Sequence, residues 1–509
     1  MKRKLLFCTL AALAALAVGA SLPVFGQEKD TLVVGVNVDA KNLDPQNSVD
    51  TASFSLIKQV FEPLVTVDGK TRELVPVLAE KWERLDDATY KFYLRKGVKF
   101  HNGEELTADD VVFSLKRATD PTQSVYAGSS GRFIDPNGFE IIDKYTVIVR
   151  TKGPVGGFLF NMKHPYASIF CRKAVEEAGS DVSRRPIGTG PFKFVSWNKG
   201  EKLTLARFDD YWGKKANFKN LEFLILPDES SRVIALETGK ADFIYAVPSS
   251  DAERIDQSDK VHVTKGPSMV LMHLGLNTKS PKLSDPRVRQ AIDYALDKNV
   301  LNQVVYQGNS EVPAGPLLPV SMWYPKDAKP WPFDQQKAKE LLAEAGVKLP
   351  LELNLWVVNA QERIDLATVI QSMLAQVGIN VNVQVFENAV FEEKIKSGQH
   401  DMYIITWGMQ TSRDPAMYWQ TMLYSTAAGT TNKSFTSDPK LDELIDAALA
   451  CLDMDKRNEL LQQLWNRILE YHPIIPLALP NELYGSDRNL QGVDDLYDGK
   501  INYLGNLHY

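Results

Sequence analysis

Along the stretch Tyr90 to Arg95, the residues Tyr90, Phe92 and Leu94 alternate with Lys91, Tyr93 and Arg95, the two-residue period of a strand with one buried face. Asn102-Gly103 follows as a tight-turn dipeptide. Thr107 then stands three residues before Asp110, ahead of Val111, Val112 and Leu115, in the arrangement of a capped helix. The same reading predicts strands over Thr31–Val38 and Leu64–Val67 with a helix over 52–65, a hairpin over Phe139–Arg150, and a strand at Phe192–Val195. Next comes a strand–helix–strand unit: Leu221–Leu226, a helix over Ser230–Thr238 stopping at Gly239, and Asp242–Tyr245. The second half repeats the theme. Leu351, Leu353 and Leu355 alternate, a helix from about Arg363 to Gln376 stops at Gly378, Val381, Val383 and Val385 alternate, another helix ends at Gly398, and Met402–Trp407 is an apolar strand. Such alternation predicts an α/β lobe with a largely parallel sheet. Ser284-Asp285-Pro286 opens a strong helix with Val288, Ala291, Ile292, Ala295 and Leu296 on one stripe. The proline-rich segment 309–331 reads as irregular, and helices over about 438–452 and 455–471 precede Pro473-Ile474-Ile475-Pro476.

The amino terminus breaks these patterns. Lys2, Arg3 and Lys4 precede an apolar run from Leu5 to Ala20, which reads as a secretory signal cleaved after Gly26, with Ala20 as the alternative point. Cys8 lies near the start of that run, the wrong place for a lipid anchor. Cleavage after Gly26 leaves 509 − 26 = 483 residues and moves the formal charge from −6 to −9, because Lys2, Arg3 and Lys4 leave and no acid does. An acidic chain without a basic run speaks against nucleic acid as a partner. No later stretch approaches the roughly 20 apolar residues of a membrane span. Cys171 and Cys451 remain, and their pairing is open.

Chemistry-bearing motifs are sparse. None of the seven histidines has a second histidine or a cysteine at metal-ligand spacing. Ala127-Gly128-Ser129-Ser130-Gly131 approaches a nucleophile elbow but lacks its first glycine, and reads as a flexible cleft-facing loop. Gly188-Thr189-Gly190-Pro191 has no third glycine for a dinucleotide fingerprint, and Asp109-Asp110 and Asp494-Asp495 fit a helix start and a polar loop. No catalytic step, cofactor or metal is expected.

The segment Ala79 to Ser114 closely resembles the signature of family 5 extracellular solute-binding proteins, the dipeptide and oligopeptide receptors of ABC importers. Further matches are Leu43-Asp44-Pro45, Phe61-Glu62-Pro63-Leu64, Pro186-Ile187-Gly188-Thr189-Gly190-Pro191-Phe192, Asp210-Tyr211-Trp212, Leu274-Gly275-Leu276-Asn277-Thr278 and Asp285-Pro286-Arg287-Val288-Arg289-Gln290-Ala291. The pattern runs over residues 30 to 485. The resemblance implies a two-lobed α/β periplasmic binding protein fold of cluster C type with an extra subdomain inserted in the first lobe. Lobe 1 would span 27–270 with the insertion near 66–185, lobe 2 would span 271–475, and 476–509 would return to lobe 1. The crossovers would lie near Ser268–Thr278 and Ile474–Pro480. It implies a periplasmic monomer that closes over a peptide or peptide-like solute and delivers it to an inner-membrane ABC permease with its ATPase subunits. The alternatives are an exported hydrolase or peptidase on the same scaffold, a receptor for an opine, sugar or metal chelate, or one that reports to a chemoreceptor.

In dipeptide-binding relatives, an aspartate shortly after a Trp-containing strand end holds the peptide's amino terminus. The matching run here, Trp407 to Pro415, has neutral Gln410 three positions after Trp407, and Trp356 to Ala360 offers only neutral side chains where an arginine would grip the carboxylate. This departure argues against a simple dipeptide ligand. Arg132 and Arg413 are candidates to pair with a carboxylate, Asp50 with an amine, and Tyr126 and Trp407 to supply flat walls. Met409 and Gln410 follow a strand's C-terminal end, where open α/β sheets bind ligands.

Overall fold

The computed structural model describes residues 29–68, 71, 73–321, 323–408, 414–497 and 504–509. The expected signal segment 1–26 lies outside them. Two sheets carry the two lobes. The first has seven strands in the spatial order Val261–Gly266, Glu482–Asp487, Phe243–Ile244, Thr31–Val36, Asn220–Ile225, Lys202–Arg207, Phe192–Asn198. Thr31–Val36 sits at its middle and pairs in parallel with both neighbours. The expected strand–helix–strand unit is present: the Asp228 carboxylate accepts from the Ser231 amide at 2.7 Å to start the helix Glu229–Glu237, and Gly239 turns the chain at φ +72°.

The second sheet runs Ser310–Glu311, Ile474–Pro480, Val270–Leu276, Met402–Gly408, Leu351–Val358, Ile379–Phe386. Leu351–Val358 is parallel to both its neighbours, whereas Val270–Leu276 is antiparallel to both of its own. The sheet is therefore mixed, not largely parallel as the alternation suggests. The reason is topological: the chain leaves the first sheet after Gly266, enters the second at Val270, and comes back along Ile474–Pro480 to rejoin the first at Glu482. An outgoing and a returning strand laid side by side must run in opposite directions.

A four-stranded antiparallel sheet, ordered Ala79–Arg84, Thr89–Leu94, Thr146–Thr151, Ile134–Asp143, forms the inserted subdomain. Tyr90, Phe92 and Leu94 point into its core as their spacing predicts. The helix Ala108–Thr119 covers it, with Asp110 Oδ2 accepting from the amide and hydroxyl of Thr107, both at 2.9 Å, and Oδ1 accepting from the Arg172 amide at 3.0 Å. Asp110→Ala removes all three hydrogen bonds and should lower unfolding free energy by about 1–2 kcal/mol, read from denaturant midpoints.

One local expectation is corrected. Ala127 to Gly131 belongs to a short helix, Ala127–Phe133, and the buried Ser130 hydroxyl donates to the Ala118 and Tyr126 carbonyls. Serine there satisfies the backbone of a neighbouring helix end rather than facing a cleft. Cys171 and Cys451 are both free thiols.

The sequence motifs meet in space as framework. Glu62 accepts from Thr189 Oγ1 at 2.8 Å, Tyr211 Oη at 2.7 Å and Trp212 Nε1 at 2.9 Å, so three separate motifs close on one buried carboxylate. A Cβ on Gly188 would fall 2.1 Å from the Val60 carbonyl oxygen, which is why that loop needs glycine.

Candidate functional site

A cavity of about 660 Å³ lies at the C-terminal ends of the parallel strands of the first sheet, where both chain crossings meet that lobe. This is the position at which open α/β sheets bind ligands. Val36, Asn37 and Val38 extend from the central strand, Ile225 from its neighbour, and Tyr245 and Ala246 from the short strand beside it. The helix Thr51–Val60 adds Asp50, Phe54 and Lys58, the inserted subdomain adds Lys163 and Pro165, and the crossings add Pro267, Met269, Val270 and Pro480 to Tyr484. The second lobe borders the same place, because Val270 pairs with Gly408 at the end of Met402–Gly408.

Part of the wall is held under strain. Ala246 adopts φ +54°, a left-handed conformation uncommon for a residue with a Cβ. The buried Arg232 holds it: Nη2 donates to the Ala246 carbonyl at 2.9 Å, and Nη1 donates to the Leu226 and Pro227 carbonyls, each at 2.9 Å. One guanidinium fork thus ties together the ends of two strands beside the cavity.

The cavity carries charges of both signs. Burial pushes the Glu482 carboxyl up from its ordinary range, opposed by the Tyr484 hydroxyl that donates to it and by the field of Lys58. Burial pushes the His164 imidazole down to about 3, with the charges of Lys163 and Lys58 acting in the same direction. The two lysines therefore share one flank of the cavity, and Glu482 lies within reach of the field of one of them.

The candidate residues separate in space. Asp50 lines the cavity as the cap of its helix, Oδ1 accepting from the Ser53 amide and Oδ2 from the Ser53 hydroxyl, both at 2.9 Å. Tyr126 sits in the seam between lobe and inserted subdomain, its hydroxyl donating to the Ser48 carbonyl at 2.6 Å and its ring edge-on to His164 at 4.7 Å. Arg132 reaches across to the second lobe, Nη1 donating to Gln420 Oε1 at 2.5 Å, beside a separate crevice of about 340 Å³. Trp407 is half-buried against the helical core of the second lobe. Met409, Gln410 and Arg413 lie outside the described residues.

Residues that the sequence reading passed over are Lys58, Lys163, Glu482 and Arg363. Phe54 and Lys58 are one helical turn apart and both line the cavity, so a lysine on an otherwise apolar stripe was a legible signal. Arg363 follows the neutral stretch Trp356–Ala360 by three positions, on the first turn of the helix Gln361–Ala375. Its side chain is 13% exposed, with Nη1 2.6 Å from Glu362 Oε2 and Nη2 3.4 Å from Thr406 Oγ1. It stands at the edge of the second sheet where three parallel strands end. Among the described residues, no group of three or more His, Cys, Asp or Glu side chains is placed to hold a metal ion, and no helix is long and apolar enough to cross a membrane.

Comparison with known proteins places this architecture. The model of bacterial extracellular solute-binding proteins, family 5 (middle region), matches residues 73–430. The glutathione-binding protein GsiB of Pectobacterium atrosepticum is 30% identical over 476 residues, covering 90% of each chain. The dipeptide-binding protein of Escherichia coli is 32% identical over 485 residues, covering 89% of this chain and 88% of its own. Among solved structures, the periplasmic binding protein DppA of Helicobacter pylori in complex with the peptide STSA superposes with a TM-score of 0.78 at 28% identity, covering 94% of this chain and 98% of its own.

Proposed function

The chain belongs to family 5 of the bacterial extracellular solute-binding proteins, and from that premise we propose that it captures a peptide or peptide-like solute between its lobes and delivers it to an inner-membrane ABC permease. The observation that carries this is the cavity at the crossings, which combines apolar and aromatic walls with Lys58, Lys163, Asp50 and Glu482. A zwitterionic solute with an apolar body fits such a wall, and a sugar, which needs a dense array of neutral hydrogen-bond partners, fits it less well. On closure Arg363 brings a guanidinium from the second lobe to a ligand carboxylate. Glutathione, the ligand named for one relative, carries an amine and two carboxylates and belongs to this class. The protein acts in the periplasm as a monomer without a catalytic step, and permease and ATPase subunits are its partners.

The test is ligand-induced stabilisation. A pool of di- to pentapeptides that includes glutathione should raise the melting temperature saturably and shift tryptophan fluorescence. A ligand at about 100 times its dissociation constant stabilises by about 2.7 kcal/mol. A response to opines or sugars with none to peptides would overturn the proposed ligand class.

A further inference from the structure

Two carboxylates, Asp50 and Glu482, line the cavity, and a third, Asp414, is the first acid after Trp407; two of the three are already committed. Asp50 uses both oxygens on Ser53 to cap its helix. Asp414 is the first acid after Trp407, and it is fully buried with both oxygens on Arg457 Nη2, at 3.0 and 2.9 Å. The loop between, Gly408 to Arg413, contains no acid. Glu482 remains. It lines the cavity at the start of the strand that returns the chain to the first lobe. Among the described residues, the Tyr484 hydroxyl supplies its hydrogen bond and no basic side chain forms an ion pair with it. A carboxylate offers about four lone-pair sites, so one donor leaves most of its capacity unused.

The surroundings suit a cation. The Tyr245 and Tyr484 rings lie 5.3 Å apart, and both line the cavity with Glu482. Aromatic faces add attraction for an ammonium group. Burial that raises the carboxyl also strengthens its pull on an opposite charge, because water screens the pair less there. Lys58 and Lys163 occupy the same cavity and leave that cation a carboxylate-bearing remainder to match.

We propose that Glu482 is the ligand's ammonium anchor, so that this protein recognises a protonated amine from the strand that returns the chain to the first lobe rather than from the loop after Trp407. The inference rests on the proposed peptide-binding role. It deepens that role by making a free amine a condition of tight binding.

The experiment uses the mature chain, as wild type and as Glu482→Gln and Glu482→Asp, equilibrated with a synthetic peptide pool containing glutathione. Each peptide is present with a free and with an acetylated α-amine, and some carry a lysine side chain. Peptides retained on ultrafiltration are quantified by mass spectrometry, and circular dichroism with melting curves confirms that the variants fold. Wild type should prefer free-amine over fully blocked peptides by about tenfold or more, as loss of a charge-assisted hydrogen bond requires. E482Q should lose that preference, and E482D should keep part of it. Retention of α-acetylated peptides that keep a lysine assigns the anchor to a side-chain ammonium, and their rejection assigns it to the α-ammonium; both support the proposal. A folded E482Q with the preference intact, or a wild type that binds blocked and free peptides alike, overturns it. A wild type that retains no peptide at all removes the peptide-binding role itself, which separates the two failures.

Discussion

Arg457→Met, alone, should cost about 3–5 kcal/mol of unfolding free energy, the penalty expected when one member of a buried ion pair is removed and its partner is left charged. Neither Arg457 nor Asp414 has measurable side-chain exposure. The guanidinium also donates through Nε to the Ala448 carbonyl at 2.7 Å and lies 4.6 Å over the Trp323 ring. Asp414 Oδ1 accepts from the amides of Ala416 and Met417, so the same carboxylate starts the helix Pro415–Leu423. The inserted subdomain closes against this pair. The Gly156 amide donates to the Leu449 carbonyl at 2.8 Å, a Cβ on Gly157 would fall 1.8 Å from Asp414 Oδ2, and a Cβ on Gly156 would fall 2.0 Å from the Cys451 carbonyl oxygen. Two glycines are needed for that approach. The pair therefore supports a helix start and the docking of the inserted subdomain on the second lobe. Denaturant unfolding of R457M, D414N and the double variant tests this. The double variant should recover part of the loss, since no unpaired charge remains. A single-variant loss below about 1 kcal/mol would show the pair to be dispensable.

That pair also shows what sequence reading reaches and what it does not. Asp414-Pro415 is visible as a helix start, and so are Asp285-Pro286 and Thr107 with Asp110, because capping is a relation between residues two or three apart. The alternation at Tyr90–Leu94 reports its buried face correctly for the same reason. The resemblance in the motifs is legible as family and as framework, and Glu62 shows why: residues distant in the chain are kept because they meet on one carboxylate. The cavity is different. Asp50, Lys58, Lys163, Tyr245 and Glu482 come from four segments separated by most of the chain, and no period or short motif records that they converge. The mixed sheet was hidden for a related reason, since its antiparallel part is set by where the chain crosses between lobes.

Acidification from pH 7 to pH 5 should destabilise the protein steeply, through histidines rather than carboxylates. Burial pushes His101, His273 and His400 down to about 4 and His164 to about 3. His273 lies in the strand that carries the chain into the second lobe, and His164 lies beside the lysines of the cavity. Each folded-state value is below the ordinary value near 6.5 that the unfolded chain restores. The unfolded state therefore binds the extra protons. The stability these neutral rings contribute is complete above about pH 6.5 and is lost as pH falls toward their folded values. At about 1.4 kcal/mol per pH unit and per histidine, each contributes a loss of about 2 kcal/mol by pH 5. Lysine charges near His164 and His273 push the same way. Denaturant midpoints at half-unit steps between pH 7.5 and 5 measure the slope, and His273→Gln, which carries no titrating ring, should reduce it by about a quarter. A flat profile over this interval, or an unchanged slope in a folded H273Q, would show that these rings accept protons in place. Because His164 lies beside Lys58 and Lys163, protonating it places a third positive charge on the flank of the cavity. In the folded protein that charge appears only as pH nears about 3, so ligand affinity should stay level between pH 7 and 5 while stability falls.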